Sequence, residues 1–235
     1  MEKILSLLRR AVDDYQMIED GDTVAVGCSG GKDSTLLLAA LNRLSKFYPK
    51  KFKVIGISLD MGTGMDFTPL IEFCKKEEIE LIIKKTEISK VVFDIRHETN
   101  PCSLCAKMRR GALNDAAVEA GANKIALGHH NDDVLETFML NLVHAGKLGT
   151  FRPVTYLSRM NVTVIRPLIY IAEKDIKKTV KRREIPVLFN PCPANGKTER
   201  QTMKDMIADM EYKYRGFKVR MFGAIKRSHI DGWHE

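Results

Sequence analysis

The apolar positions along the chain switch repeatedly between strand-like and helical spacing. Short apolar runs, typical of strands buried on both faces, alternate with stretches in which apolar residues recur every three to four positions. Strands are predicted at 23–28, 53–59, 80–85, 124–128 and 162–166. Helices are predicted at 2–19, 33–46, 68–78, 103–120, 131–145, 172–184 and 198–214, with a further basic helix at 218–228. This alternation predicts an α/β fold, a parallel sheet covered by helices on both faces with helical additions at the N- and C-terminal ends.

The length and the joins between elements indicate one compact unit. A chain of 235 residues can form one sizeable core with a modest appendage, and its proline-containing joins are too short to be domain linkers. We expect an N-terminal helix (1–20), an α/β domain (21–190) and a loop with basic helices (191–235). No run approaches the roughly 20 apolar residues of a membrane span, and the N-terminus does not resemble a signal peptide. A cytoplasmic protein without membrane association is therefore expected.

The charge of the chain suggests a polyanionic partner. The net charge is +8, and the excess is concentrated at 174–183 and 212–227. A single run of this kind is usually a solvated helix face. Two basic segments in one chain, beside a candidate phosphate site, favour RNA.

A glycine turn between a predicted strand and a predicted helix is the clearest chemical signal. It reads Ser29-Gly30-Gly31-Lys32-Asp33-Ser34, and such a turn presents free N–H groups and a helix N-terminus to phosphate. Lys32 adds a positive charge, and Asp33 suits a divalent cation placed between the carboxylate and the phosphates. A Walker P-loop is excluded, because Asp33 follows Lys32 where Ser or Thr is needed and Val26 stands where the first glycine is needed.

A second polar motif follows the strand predicted at 124–128. It reads Gly128-His129-His130-Asn131-Asp132-Asp133 and lies at the carboxyl end of a strand, where open α/β sheets bind ligands. The two aspartates are candidate Mg²⁺ ligands or acids of the ATP site. Asn131 or Asp132 could equally cap the helix, and the histidines could be ligands, bases or hydrogen-bonded structure.

Five cysteines in a chain without an export signal argue against a disulfide framework. Cys102 and Cys105 open a predicted helix as a C-x-x-C pair, and Cys192 lies between two prolines. Three thiolates leave one position of a metal site open, as in a [4Fe–4S] cluster with one free iron. A buried Cys192 unrelated to the pair is an equally good interpretation of the spacing alone.

Taken together and in this order, the motifs resemble those of the tRNA 2-thiocytidine synthetase family. The glycine turn is similar to the PP-loop, S-G-G-x-D-S, of N-type ATP pyrophosphatases, which release AMP and pyrophosphate while adenylating a substrate. The resemblance extends over Glu136-Thr137, Asn141-Leu142, Gly146-Lys147-Leu148, Ile165-Arg166-Pro167-Leu168 and Glu173-Lys174-Asp175-Ile176. The absence of flanking zinc-finger cysteines favours the thiocytidine branch over the 2-thiouridine branch.

The resemblance implies a doubly wound ATP-pyrophosphatase domain, ATP as co-substrate, Mg²⁺, and a [4Fe–4S] cluster on Cys102, Cys105 and Cys192. It also implies that Lys32, Asp33 and Asp133 are catalytic. The nucleotide would be bound by Ser29, Gly30, Gly31, Lys32, Asp33, Ser34, Arg109, Gly128, Asp132 and Asp133. Arg109 stands where related enzymes have lysine. The implied partners are tRNA, a sulfur donor such as a cysteine desulfurase or free sulfide, and a second copy of the chain.

The function expected from this resemblance is ATP-dependent tRNA thiolation. C2 of a pyrimidine, cytidine 32 of the anticodon loop, would be adenylated and its oxygen replaced by sulfur. Three alternatives remain open: thiolation of a tRNA uridine, a lysidine-synthetase-like modification, and a non-catalytic nucleotide- and metal-binding regulator.

Overall fold

The computed structural model describes residues 1–95, 101–191 and 199–234. Six strands within these ranges form one sheet: β1 (Thr23–Gly27), β2 (Lys53–Asp60), β3 (Glu80–Lys85), β4 (Lys124–Ala126), β5 (Val154–Leu157) and β6 (Val162–Ile165). Eight α-helices surround it: α1 (Glu2–Asp14), α2 (Lys32–Ser45), α3 (Thr68–Lys76), α4 (Pro101–Glu119), α5 (Asn131–Ala145), α6 (Glu173–Arg182), α7 (Glu199–Lys213) and α8 (Phe217–Arg227). The predicted α/β fold is confirmed.

The strand order makes the central part of the sheet the place for a site. The order is β3-β2-β1-β4-β6-β5, and all neighbours are parallel except the edge pair β5–β6. The chain leaves β1 toward β2 on one side, while β4 pairs with β1 on the other. Ligands bind at the carboxyl ends of strands where the strand order reverses in this way. The glycine turn after β1 and the acidic motif after β4 therefore meet at one edge.

Both faces of the sheet are buried. Val24 and Val26 of β1 belong to the core formed with α1, α2 and the C-terminal helices. Ala25, between them, belongs to a second core in which Ala116 and Ala117 of α4 cover the opposite face. Since successive side chains of a strand point to opposite faces, a run of apolar residues is what a strand covered on both sides requires.

The first helix is shorter than predicted. The pattern predicted a helix over 2–19, but α1 ends at Asp14, and Gln16 adopts a left-handed conformation with φ of 46°. This turn directs Met17 and Ile18 into the core, where both are fully buried. A continued helix would leave one of these adjacent apolar side chains on a different face, so burial ends the helix.

Three short elements were not predicted. The edge strand β5 is antiparallel to β6 and has only partly buried or exposed residues, including the exposed Tyr156. A π-helix covers Lys90–Ile95, and a 3₁₀ helix covers Ile230–Gly232. All three elements are too short to show a periodic apolar pattern of their own. In the described parts of the chain, no helix is both long and apolar enough to cross a bilayer.

Candidate active site

The glycine turn after β1 is held in place by its own serines. Ser34 Oγ donates to the Gly31 carbonyl at 3.0 Å and accepts from the Ser29 N–H at 3.2 Å, and the two serine hydroxyls lie 3.2 Å apart. Gly30 has φ of +76°, a conformation that favours glycine. The loop therefore ends with the first-turn N–H groups of α2, which have no partner within the helix, at the carboxyl edge of the sheet.

Gly128 brings the second motif against this turn. A Cβ atom at position 128 would lie 3.0 Å from the Ser34 backbone nitrogen and 3.1 Å from the Asp33 carbonyl carbon. Backbone atoms cannot rotate away as a side chain can, so only glycine permits this approach. The glycine turn after β1 and the motif after β4 are therefore in direct contact.

The acidic motif caps α5. His130 is the N-cap residue: its Nδ1 accepts from the Asp133 N–H at 3.4 Å, and the Asp133 carboxylate accepts from the His130 N–H at 2.9 Å. This reciprocal pair satisfies two helix-terminal donors. Of the helix-capping alternatives left open by the sequence, neither Asn131 nor Asp132 is the capping residue.

The neighbouring histidine has a packing role. His129 Nδ1 accepts from Arg166 Nε at 3.3 Å, and its ring lies 4.9 Å from that of Phe151. Burial and the nearby Arg166 guanidinium lower the pKa of His129 to about 4. The ring is therefore neutral at physiological pH, and it belongs to hydrogen-bonded structure beside the site.

A cavity of about 200 Å³ opens between the two motifs and α7. Its lining is almost entirely charged: Lys32, Asp33, His130, Asp133, Glu136, Glu173, Arg200, Gln201 and Lys204. A larger hollow of about 410 Å³ lies against α1 and Phe47, away from the strand ends. We identify the smaller cavity as the site because it joins the glycine turn to the acidic motif.

Ion pairs across the cavity fix the charge of its groups. Lys32 Nζ lies 2.9 Å from Asp33 Oδ2 and 3.1 Å from Glu173 Oε1. Burial opposes the charge on Lys32, but the two carboxylates raise its pKa above the ordinary value. Burial also opposes the charge on Glu173, yet hydrogen bonds from Lys204, Lys177 and Lys32 lower its pKa to about 2. Both groups are charged at neutral pH.

Glu136 is perturbed in the opposite direction. It is 4% exposed, and burial together with the neighbouring Asp133 carboxylate raises its pKa to about 7, with Arg200 acting against the shift. Its Oε2 lies 3.3 Å from Arg200 Nη1. Glu136 is thus partly protonated near neutral pH.

One oxygen of Asp33 stands out because it is buried without a hydrogen-bond donor. Asp33 Oδ1 has no hydrogen-bond partner, and His130 Nε2 is 3.7 Å away, beyond hydrogen-bond distance. A buried carboxylate oxygen without a donor is costly unless a ligand or cation satisfies it. The donor set at this point, carboxylate oxygens beside a phosphate-binding turn, is of the kind that Mg²⁺ prefers.

The other predicted nucleotide contacts are placed differently. Asp132 does not line the cavity: its carboxylate accepts from the Glu173 N–H and from Lys218 Nζ, each at 2.7 Å. It thereby ties α5 to α6 and α8. Arg109 lies exposed on α4, one turn after Cys105, and it too is outside the cavity lining.

The predicted cysteine site is only partly within the described residues. Cys102 is exposed and Cys105 half-buried in the first turn of α4, so their i, i+3 spacing places them on one helix face. Cys192 lies outside the described residues. Among the residues that the structure describes, no group of three or more His, Cys, Asp or Glu side chains is arranged to hold a metal ion.

Two contacts join described residues to the end of β1 and to the glycine turn. Leu113 packs against Gly27 at the end of β1, and it lies on α4, the helix whose first turn carries Cys102 and Cys105. Leu188 donates its N–H to the Gly30 carbonyl at 2.8 Å and covers the glycine turn. Both α4 and the chain at Leu188 therefore contact residues next to the cavity.

Five of the cavity residues were not predicted from the sequence as members of the site: Glu136, Glu173, Arg200, Gln201 and Lys204. Glu136 follows Asp133 by three positions on α5, so its place on the same helix face could have been inferred. Glu173, Arg200 and Lys204 come from α6 and α7, which no local pattern places over the glycine turn. Their position depends on the docking of α7 against α5.

The chain matches the family model described as PP-loop domain over residues 3–210. It is 37% identical to the tRNA-cytidine(32) 2-sulfurtransferase of Ralstonia pickettii, over 95% of this chain and 72% of that protein. It is 40% identical to the enzyme of the same name from Stutzerimonas stutzeri, over 96% of this chain and 83% of that protein.

A solved structure extends this similarity to three dimensions. The U34-tRNA thiolase NcsA from Methanococcus maripaludis, solved with its [4Fe–4S] cluster, superposes with a TM-score of 0.79 at 26% identity, covering 97% of this chain and 79% of that chain. The predicted N-type ATP pyrophosphatase fold is confirmed. On the sequence match and the fold, the chain belongs to the PP-loop family, within its group of tRNA-cytidine(32) 2-sulfurtransferases.

Proposed function

We propose that this protein is an ATP-dependent tRNA sulfurtransferase that replaces the C2 oxygen of cytidine 32 with sulfur. The observation that carries the proposal is the meeting of Lys32, Asp33 and Asp133 around one cavity at the carboxyl ends of β1 and β4, in a chain that belongs to a tRNA thiolation family.

The glycine turn and Lys32 serve the first half of the reaction. The C2 oxygen of the base attacks the α-phosphorus of ATP, the bond to the β-phosphate oxygen breaks, and pyrophosphate leaves. The first-turn N–H groups of α2 and the Lys32 ammonium stabilise the negative charge that grows on the departing pyrophosphate. The adenylated oxygen then leaves as AMP when sulfur attacks C2.

The carboxylates suit a role in metal binding and positioning. Asp33, with its unpartnered Oδ1, and Asp133 would hold Mg²⁺ against the phosphates. A bound Mg²⁺ supplies positive charge that offsets the phosphates. Gly128 keeps the backbone of Asp33 and Ser34 in register with β4. The direct nucleotide contacts predicted for Asp132 and Arg109 stay predictions, and the contacts of Asp132 favour a positioning role.

The cysteines fit a cluster by their chemistry. Cys102, which is exposed, and Cys105, which is half-buried, share one face of the first turn of α4. Cys192, in the same proposal, is the third ligand. A [4Fe–4S] cluster on three cysteines supplies an iron with a free position that can carry sulfur. The helix N-terminus at Cys102 stabilises thiolates, the form that ligates iron.

The basic segments are proposed to hold tRNA. Segment 174–183 includes α6, and segment 212–227 includes α8, whose Val219 and preceding Tyr212 are exposed. Such a surface suits contacts to phosphates with aromatic groups available for bases. The division into 1–20, 21–190 and 191–235, a sulfur donor such as a cysteine desulfurase or free sulfide, a homodimer and a cytoplasmic location belong to the same proposal.

The test compares two transcripts with the anaerobically prepared protein. An anticodon stem-loop tRNA with cytidine 32, ATP–Mg²⁺ and sulfide are expected to give AMP, pyrophosphate and 2-thiocytidine, measured by nucleoside mass spectrometry. The matched control carries uridine at position 32 and is expected to give no thiolated nucleoside.

The alternatives predict different products. A thiouridine at another position would move the protein to uridine thiolation, and lysine incorporation by a colourless, iron-free protein would indicate a lysidine-synthetase-like reaction. If no AMP forms with any tRNA, the proposed catalytic function is wrong and a non-catalytic role is favoured.

A further inference from the structure

Helix α7 contributes cations to the cavity at the glycine turn. Arg200 and Lys204, four positions apart, lie on one face of α7 and line the cavity together with Gln201. Met203 and Ile207 of α7 are buried in the core. Their packing fixes the position of Arg200 and Lys204 relative to the cavity. No sequence motif assigned a function to either residue.

Each of these cations is already paired with a carboxylate of the cavity. Arg200 Nη1 lies 3.0 Å from Asp133 Oδ1 and 3.3 Å from Glu136 Oε2. Lys204 Nζ lies 2.7 Å from Glu173 Oε2, and Lys32 of the glycine turn takes the other oxygen of the same carboxylate at 3.1 Å. A single carboxylate thus joins the lysine of the phosphate-binding turn to the lysine of α7.

We propose that Arg200 and Lys204 are phosphate-binding residues that exchange their carboxylate partners for the β- and γ-phosphates of ATP. The inference deepens the proposed function, because it rests on ATP binding at the glycine turn. It assigns a nucleotide-binding role to a helix whose residues lie outside both strand-end motifs.

The size and charge of the cavity support an exchange. Its volume of about 200 Å³ is below the roughly 300–1,000 Å³ of typical small-molecule sites. The ion pairs of α7 close part of the space. Four carboxylates and three cations, Lys32, Arg200 and Lys204, line the cavity. A polyanion that enters the cavity must pair with these cations, because the carboxylates would otherwise repel it.

The exchange leaves most of the carboxylates with a partner. When Arg200 and Lys204 turn to phosphate, Asp133 is released to accept Mg²⁺ and Glu173 keeps Lys177 at 3.1 Å, so that only Glu136 gives up its ion pair with Arg200. Buried charges without partners are costly, so a site in which partners are exchanged can be stable both empty and filled.

A purely structural role makes a different prediction, and the chain offers a matched control. Lys177 and Lys204 both bind Glu173, at 3.1 and 2.7 Å, but Lys177 does not line the cavity. If the lysines act only by holding Glu173, the variants Lys177→Met and Lys204→Met should have similar effects. If Lys204 binds phosphate, only Lys204→Met should weaken nucleotide binding.

The experiment measures the dissociation constants of Mg–ATP, Mg–pyrophosphate and AMP by calorimetry, with the full chain and without tRNA. Arg200→Gln and Lys204→Met are expected to weaken Mg–ATP and Mg–pyrophosphate about 10- to 100-fold each and to change AMP less than about 2-fold. Lys177→Met should leave all three within about 2-fold. Arg200→Lys should bind more tightly than Arg200→Gln but less tightly than the unaltered protein, because lysine keeps the positive charge but lacks the bidentate guanidinium.

Three results would overturn the inference. Unchanged Mg–pyrophosphate affinity in both variants excludes phosphate contact by α7. Equal weakening by Lys177→Met and Lys204→Met, or weakening of AMP as large as that of pyrophosphate, assigns the effect to structure. If Arg200→Gln does not fold, as judged by circular dichroism, Lys204→Met and Arg200→Lys decide the matter. Failure of the unaltered protein to bind Mg–ATP would instead refute the ATP site of the proposed function.

Discussion

The turns after β1 and β4 lie side by side at the same edge of the sheet, yet they function in different ways. Ser29–Ser34 is stabilised mainly by bonds within the turn and presents N–H groups and a lysine. Gly128–Asp133 is stabilised by the cap of α5 and by ion pairs to helices distant in sequence, through Arg200 and Lys218. A turn stabilised locally can be interpreted from consecutive residues, whereas a turn whose side chains bind distant helices cannot.

The two adjacent carboxylates of the second turn show this difference within one motif. Asp133 faces the cavity, while Asp132 faces Lys218 and the N–H of Glu173. In a helix, consecutive side chains diverge by about 100°, so two adjacent acids rarely serve one ligand. We therefore predict that substitutions in the first turn lower the rate of the reaction. Substitutions in the second turn should lower either the rate of the reaction or the free energy of unfolding, depending on the residue.

Removing the charge of the first turn should have the largest effect. Lys32→Met is expected to lower the rate of AMP formation with tRNA about 100- to 1,000-fold, because the departing pyrophosphate loses a preorganised cation. The control is Lys46→Met, at the other end of α2, where the lysine pairs with an exposed glutamate. A rate for Lys32→Met within about 3-fold of the unaltered protein would refute the assignment of this turn as the catalytic one.

Forcing the two turns apart should have the second largest effect. Gly128→Ala places a methyl group 3.0 Å from the Ser34 nitrogen, so the first turn must shift relative to β4. We expect a loss of about 1–3 kcal/mol in the free energy of unfolding and at least a roughly 10-fold weaker Mg–ATP affinity. Gly111→Ala, with nothing within 4 Å of the added carbon, is the control and should be neutral or slightly stabilising. Equal behaviour of the two variants would show that the turns are not in tight contact.

Substitutions of the two adjacent aspartates should affect different properties, the stability of the fold for Asp132 and the reaction for Asp133. Asp132→Asn is expected to lower the free energy of unfolding by about 1–3 kcal/mol, because the Lys218 ammonium and the Glu173 N–H lose a charged acceptor. Its Mg–ATP affinity should stay within about 2-fold of that of the unaltered protein. Asp133→Asn should lower AMP formation instead. Urea unfolding and AMP assays of both variants provide the measurement. A large loss of ATP affinity in Asp132→Asn would favour the direct contact predicted from the sequence.

The smallest effect concerns Glu136 and depends on pH. Its pKa rises from the ordinary 4.5 to about 7 in the folded protein, with burial as the main cause. Between these values the folded state binds more protons than the unfolded state, so this group lowers stability as pH rises from 4.5 to about 7. Glu136→Gln should therefore be more stable at pH 8, by about 1–2 kcal/mol after solvent screening, and equal at pH 4. Urea unfolding at both pH values is the measurement, and a gain that is equal at both would argue against titration of Glu136.

Much of the architecture could be predicted because the central strands carry continuous apolar runs and the helices carry regular apolar spacing. The turn of α1 at Gln16 could not, because the burial of Met17 and Ile18 depends on what packs against them. The edge strand β5 could not either, since a four-residue strand with an exposed tyrosine and no fully buried residue is too short to show a period. Elements whose stability comes from neighbours distant in sequence leave little local signal.

By itself, the sequence determined the α/β fold, the phosphate-binding turn Ser29–Ser34 and the family, because each depends on residues adjacent in the chain or on an ordered set of motifs. Only the tertiary structure decided that Gly128 touches that turn, that Asp132 and Asp133 have different partners, and that Arg200 and Lys204 reach the cavity. The physical reason is that ion pairs and close backbone contacts join residues far apart in the chain, as Lys32 and Glu173 are. No local pattern specifies which helix lies over which strand end; the packing of α7 and α8 on α5 does.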